Sequence, residues 1–116
     1  MEILITNITV NPRGQTRREQ RRVSGTVFKI GRGSECEVHL PDSRIALIHA
    51  QLTVADTGAA IEVASGQVLV NGRDMDRAEL VVGDRVEIGP YQIEIEPPPE
   101  NLQLALSVRL ATAFGK

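Results

Sequence analysis

The chain has 116 residues, of which 41% are apolar but only 3% aromatic, with no Trp. That is one domain's worth with a core of Val, Ile, Leu and Ala, which favours strands over an aromatic platform for stacking bases. A formal net charge of -2 leaves no global positive field, so nucleic acid is excluded as a partner on first reading and direct membrane insertion is not expected. The single cysteine, Cys36, cannot form an intrachain disulfide, and the first residues lack a signal-peptide pattern, so a cytoplasmic location is expected.

Glu2 to Val10 alternates β-branched and apolar residues on both sides, predicting a strand buried on one face and on part of the other. Asn11-Pro-Arg-Gly14 ends it in a turn. Arg13, Arg17, Arg18, Arg21 and Arg22 then fall within ten residues, interrupted by Glu19. This segment reads as a solvated connection between two strands; the other reading is a docking surface for an acidic partner. Val23 to Ile30 predicts a second strand, and Gly31-Arg-Gly-Ser34 a sharply turning loop. Cys36, Val38 and Leu40 alternate with charged and polar residues, so a short strand turns them inward. After the turn Pro41 to Arg44, residues His49 to Ala55 and Ala60 to Ala64 form a hairpin about Asp56-Thr-Gly58. Gly66 to Val70 leads into Asn71-Gly72, a pair that signals a primed turn. Leu80, Val82, Val86, Ile88, Ile93 and Ile95, separated by Gly83-Asp84 and Gly89-Pro90, complete a set of short strands at regular intervals, the pattern of two packed sheets.

Pro97-Pro-Pro99 cannot supply ladder donors and reads as a boundary, which divides the chain into a sandwich over 1–96, a proline-rich linker over 97–101 and a C-terminal strand or tail over 102–116, with room for a further domain beyond. Leu102, Leu104, Leu106, Val108 and Leu110 alternate with more polar residues; Leu102, Ala105, Leu106, Arg109 and Leu110 also fit a helix, but the period of two fits better. An apolar edge of this kind must be covered. Either it folds onto its own sandwich or it pairs with a second copy, and the stiff proline spacer favours a homodimer through these five side chains.

Phe28-Lys-Ile-Gly-Arg-Gly-Ser34, Leu40-Pro-Asp42, His49-Ala50, Val70-Asn-Gly72 and Val82-Gly-Asp-Arg-Val-Glu-Ile-Gly89 follow one another in a specific order from about Val27 to Ile95. The series resembles a forkhead-associated (FHA) domain, a phosphothreonine-reading β-sandwich. The resemblance implies an all-β, FHA/SMAD-like fold of two antiparallel sheets, and a non-enzymatic module that binds a protein or phosphoprotein. In the family a phosphothreonine is held by the Arg of a Gly-Arg loop, the Ser of a Ser-Arg-x-His motif and an Asn-Gly-Thr loop. A group carrying about -1.5 to -2 charge needs such charge-assisted donors around its oxygens. Arg32 matches the first position, with Ser34, Arg44 and Ser65 as further candidate contacts. Ala46 and Leu47 stand where Ser and Arg are wanted, and Gly66 and Gln67 depart from the Asn-Gly-Thr loop. The expected result is weakened or lost phosphothreonine recognition, to be regained by Ser at 46, Arg at 47 and Asn at 66. Phosphothreonine or acidic-peptide binding centred on Arg32 is the alternative, and an oligomerisation or regulatory role in a longer protein a second. Gly31, His49, Asn71 and Gly72 take structural roles by the same resemblance.

No base stands beside a nucleophile, so no catalytic residue is assigned. Cys36 and His39 have metal-like spacing, but a lone thiol on an apolar face with two scattered histidines makes no ligand set. Gly31-Arg-Gly33 lacks the Gly-Lys-Ser/Thr and helix start of a nucleotide loop, so no cofactor is expected.

Overall fold

The computed structural model describes residues 1–110; the expected tail 111–116 lies outside them. Period-two alternation turns one side of each strand toward the core. In chain order the strands are β1 (Glu2–Val10), β2 (Thr16–Ser24), β3 (Val27–Gly31), β4 (Val38–His39), β5 (Ala50–Ala55), β6 (Gly58–Val63), β7 (Leu69–Val70), β8 (Arg73–Asp74), β9 (Arg77–Leu80), β10 (Arg85–Ile88), β11 (Tyr91–Glu96) and β12 (Leu104–Leu110). They form a seven-stranded sheet, ordered β2-β1-β12-β11-β10-β7-β8, and a five-stranded sheet, ordered β4-β3-β5-β6-β9. Ile3, Ile5, Val86, Ile93, Ile95 and Leu106 of the first belong to one buried cluster with Phe28, Ile30, Leu52, Val54, Ile61 and Leu80 of the second. The all-β sandwich is therefore as expected. Among the described residues no helix is long and apolar enough to cross a membrane.

The sheets are mixed rather than purely antiparallel, because β1 runs parallel to β12 and β3 parallel to β4. No hairpin joins either pair, so no tight turn imposes opposite directions.

The largest correction concerns the segment after the prolines. β12 is an interior strand of the first sheet, with Leu106 opposite Ile5 of β1 and Ile95 of β11. Leu102, Leu104, Leu106 and Val108 are buried in their own chain, while Leu110 remains 38% exposed. The apolar edge assigned to a homodimer is thus spent on the sandwich itself, which extends to residue 110 rather than ending at 96. Residues 97–103 are not a linker between units but the connection between two neighbouring strands. Leu102 N–H donates to Pro99 O and Gln103 N–H to Glu2 O, fastening that connection to the start of β1.

A second correction concerns the arginines. Residues 16–24 are not a solvated connection but β2, paired with β1 from Glu2 opposite Ser24 to Val10 opposite Thr16. The second strand expected over Val23 to Ile30 is consequently divided, with β2 ending at Ser24 and β3 starting at Val27. β2 shows no apolar alternation because nearly all its side chains face water; only backbone pairing makes it a strand. The turn before it is tied by Asn11, whose Oδ1 accepts the N–H groups of Arg13 and Gln15, each at 2.9 Å. The Asn71-Gly72 turn is found as expected, with φ of 52° and 85°, joining β7 to β8.

Candidate functional site

Three loops meet at one end of the sandwich: residues 32–37 between β3 and β4, residues 40–49 between β4 and β5, and residues 64–68 between β6 and β7. Backbone bonds hold the first two together. Arg32 N–H donates to Ala46 O at 2.9 Å, and Gly33 N–H donates to Leu47 O at 3.0 Å. The Cys36 thiol donates to the same Leu47 oxygen at 3.3 Å. Gly31 is required here, since a Cβ at this position would overlap Leu47 O and lie 2.9 Å from Ala46 O. The Gly-Arg motif therefore reflects close approach of two backbones as well as the placement of a cation.

His49 ties in the third loop. Its buried ring accepts the Ala46 N–H at Nδ1 (3.2 Å) and donates from Nε2 to Gln67 O (2.9 Å). Its carbonyl also accepts the N–H groups of Ala64 and Ser65. Both ring nitrogens of His49 are thereby engaged with backbone of its own chain. Gly66 lies directly over the ring with φ of +92°, and a Cβ there would come within 2.7 Å of Nε2. An Asn at 66, expected above to restore a ligand contact, has no room; the adjacent Ser65 is exposed. Gln67 is turned away, donating from Nε2 to Asp74 at 3.0 Å. Asn71 accepts the Arg85 N–H at 2.9 Å and donates to Asp84 at 3.0 Å.

Arg32 is exposed, and among the described residues its one side-chain hydrogen bond is Nε donating to Ile45 O at 2.9 Å. The terminal nitrogens of its guanidinium stay available to a ligand. Arg44 differs. It forks onto Asp42, with Nε to Oδ1 and Nη2 to Oδ2 each at 2.9 Å, and its own N–H also donates to Oδ1. The side-chain bond from Arg44, then its backbone N–H, hold the Asp42 carboxyl down at about 2. A carboxylate two residues away thus offers Arg44 bidentate geometry within its own turn. Ala46 is half-buried and Leu47 57% exposed, so neither supplies a donor from its side chain.

Ser34 lines a separate opening. A cleft of about 680 Å³ runs between β1, β2 and β12 on one side and the β3–β4 loop on the other, with Ser34, Cys36, His39, Tyr91, Arg21 and Arg109 in its walls. Arg32, Arg44 and Ser65 do not line it. Burial, then the nearby Glu35 carboxylate, push the Cys36 thiol up from its ordinary value. Among the described residues no group of three His, Cys, Asp or Glu is placed to hold a metal. Sequence reasoning did not find this cleft, since its walls come from strands that meet only in the fold. The Asp42–Arg44 fork was in principle visible as Asp-Ser-Arg in a turn.

Residues 12–98 match the family described as Yop-YscD, inner membrane component of T3SS, cytoplasmic domain. No curated protein matches the sequence. The fold is similar to an FHA domain studied for phosphothreonine-dependent interactions, at 20% identity, a TM-score of 0.64 and coverage of 83% of this chain and 95% of that one. It is also similar to the FHA-2 domain of a Mycobacterium tuberculosis ABC transporter, 25% identical with a TM-score of 0.57 over 68% of this chain and 79% of that one. An FHA domain from Chlamydia trachomatis is 21% identical, with a TM-score of 0.56 over 74% and 86%.

Proposed function

The chain belongs to the Yop-YscD family of cytoplasmic domains of T3SS inner membrane components, and from that premise we propose that it is a non-catalytic, FHA-type protein-interaction module, facing the cytoplasm as part of a longer membrane-anchored protein, whose loop end has weakened phosphothreonine recognition. The observation that carries this reading is the inequality of the two arginines near the loops. Among the described residues Arg32 keeps free guanidinium nitrogens, whereas Arg44 is neutralised by Asp42. With Ala46 and Leu47 lacking donors, a phosphate at this end meets one strong cation and little else. Each missing charge-assisted bond weakens binding by about 10- to 150-fold.

Fluorescence anisotropy with phosphothreonine peptides tests the proposal. Dissociation constants of about 100 μM or weaker, rising further in Arg32→Ala, are expected. A low-micromolar constant abolished by Arg32→Ala would instead establish the second reading, in which Arg32 alone sustains phosphothreonine recognition. That reading draws on the intact loop frame around Gly31, His49 and Gly66.

A further inference from the structure

β2 is the outermost strand of its sheet, nine residues long, and among the described residues nothing pairs with its outer edge. Its hydrogen-bonding groups on that side are presented to solvent, which is the template that strand addition uses. The strand is held in place beforehand. Asn11 closes the preceding turn, with its Nδ2 also donating to Gln15 Oε1 at 2.8 Å. Farther along, the Arg21 guanidinium donates to Glu37 O across the opening between the two sheets.

The side chains decide what kind of strand fits. Arg18 and Arg22 share a face with Ile8 and Leu4, while Arg17 and Arg21 share the opposite face with Thr9 and Ile5. Cations thus project from both faces of an exposed edge in a molecule whose net charge is -2. Arg17 has an ion pair with Glu19 at 3.1 Å, but both side chains are largely exposed and the pair is weak. A second copy of β2 is disfavoured. Centred between Glu19 and Gln20, an antiparallel pair would set Arg17 opposite Arg22 and Arg18 opposite Arg21, and like charges directly opposite repel. A flat anionic membrane suits the strand no better, since it would meet only one of the two cationic faces.

We propose that the β2 edge is a docking site for an acidic, extended segment of a partner protein, which adds to the seven-stranded sheet as a further strand. Register dictates its pattern: two adjacent carboxylates, two neutral strand-formers opposite Glu19 and Gln20, then two more carboxylates. This pattern reads the same in both directions, so it holds for parallel and antiparallel addition. The site is distinct from the Arg32 loops and does not depend on phosphorylation.

The test uses the blocked peptide Glu-Glu-Thr-Val-Glu-Glu and a scramble of the same composition with its four Glu consecutive. Calorimetry on the whole chain is expected to show the patterned peptide binding at least about tenfold more tightly than the scramble, with affinity falling as salt is raised. Amide hydrogen exchange is expected to slow along 16–24 on binding. The double variant R18E/R22E is expected to lose at least about tenfold in affinity; if it does not fold by circular dichroism, R18Q/R22Q replaces it. Equal binding of the two peptides, an unchanged affinity in the variants, or protection confined to residues outside 16–24 would overturn the proposal. Binding to phosphatidylglycerol vesicles without binding of the patterned peptide would overturn it as well, in favour of a lipid surface.

Discussion

Restoring the missing donors is the sharpest test of the proposed weakness of phosphate binding at the loop end. The perturbation is Ala46→Ser with Leu47→Arg and Ser65→Asn, three positions whose backbone is already fixed. Ala46 O accepts from Arg32 N–H at 2.9 Å, Leu47 O from Gly33 N–H at 3.0 Å, and Ala46 N–H donates to His49 Nδ1 at 3.2 Å. None of these bonds uses a side chain that the variant replaces. Leu47 is 57% exposed, so an arginine there disturbs no packing and removes apolar surface from water. One hydroxyl and one guanidinium bond to a phosphate contribute about 1.5–3 kcal/mol each before ordering costs. A gain of at least about tenfold in phosphothreonine-peptide affinity is therefore expected, with no gain for the unphosphorylated peptide. Anisotropy titration measures it, with circular dichroism to verify folding. The companion variant carrying Gly66→Asn in place of Ser65→Asn is expected to lose the gain, because its Cβ would crowd the His49 ring. A folded Ser65→Asn triple variant with unchanged affinity would refute the argument, and would mean that the loops present these positions away from a common ligand.

Gly31→Ala is expected to destabilise the chain by about 1–3 kcal/mol, since its methyl would overlap Leu47 O in a tightly stapled pair of loops; urea unfolding measures this. Leu106→Ala is expected to cost about 2–5 kcal/mol by the same assay, because Leu106 is 1% exposed on an interior strand of the first sheet, whereas an effect under about 0.5 kcal/mol would contradict its interior placement. Asp42 has its folded value depressed to about 2, so its contribution to stability is present above the ordinary value of about 3.9 and is lost as pH falls toward 2. The stability difference between the parent chain and Asp42→Asn is accordingly expected to shrink across that window in acid-unfolding curves, and a difference independent of pH there would contradict the fork.

The parts of the fold that could be read from the sequence are those fixed by neighbours along the chain. The alternation of Leu52, Val54, Ala59 and Ile61, and the positive φ demanded at Asn71-Gly72, are local demands that only a few residue types meet. Gly31 was readable for a related reason, as the motif places a residue without a side chain where two loops touch. What escaped depends on strands distant in sequence. The Leu102 to Leu110 alternation marks a strand correctly but carries no address, and its parallel neighbour β1 lies about a hundred residues away. The arginines of β2 misled more deeply. A charged edge strand has no dry face to reveal itself, so its pattern matches that of a solvated loop until the pairing with β1 is known. The same reasoning separates the two arginines at the loop end. Arg32 and Arg44 are equivalent as letters, each following a turn-forming residue. Asp42 stands within reach of one, and among the described residues the other has only the Ile45 carbonyl. The difference between an arginine with open guanidinium nitrogens and one committed to its own turn is therefore a matter of which acceptor the fold brings to it first.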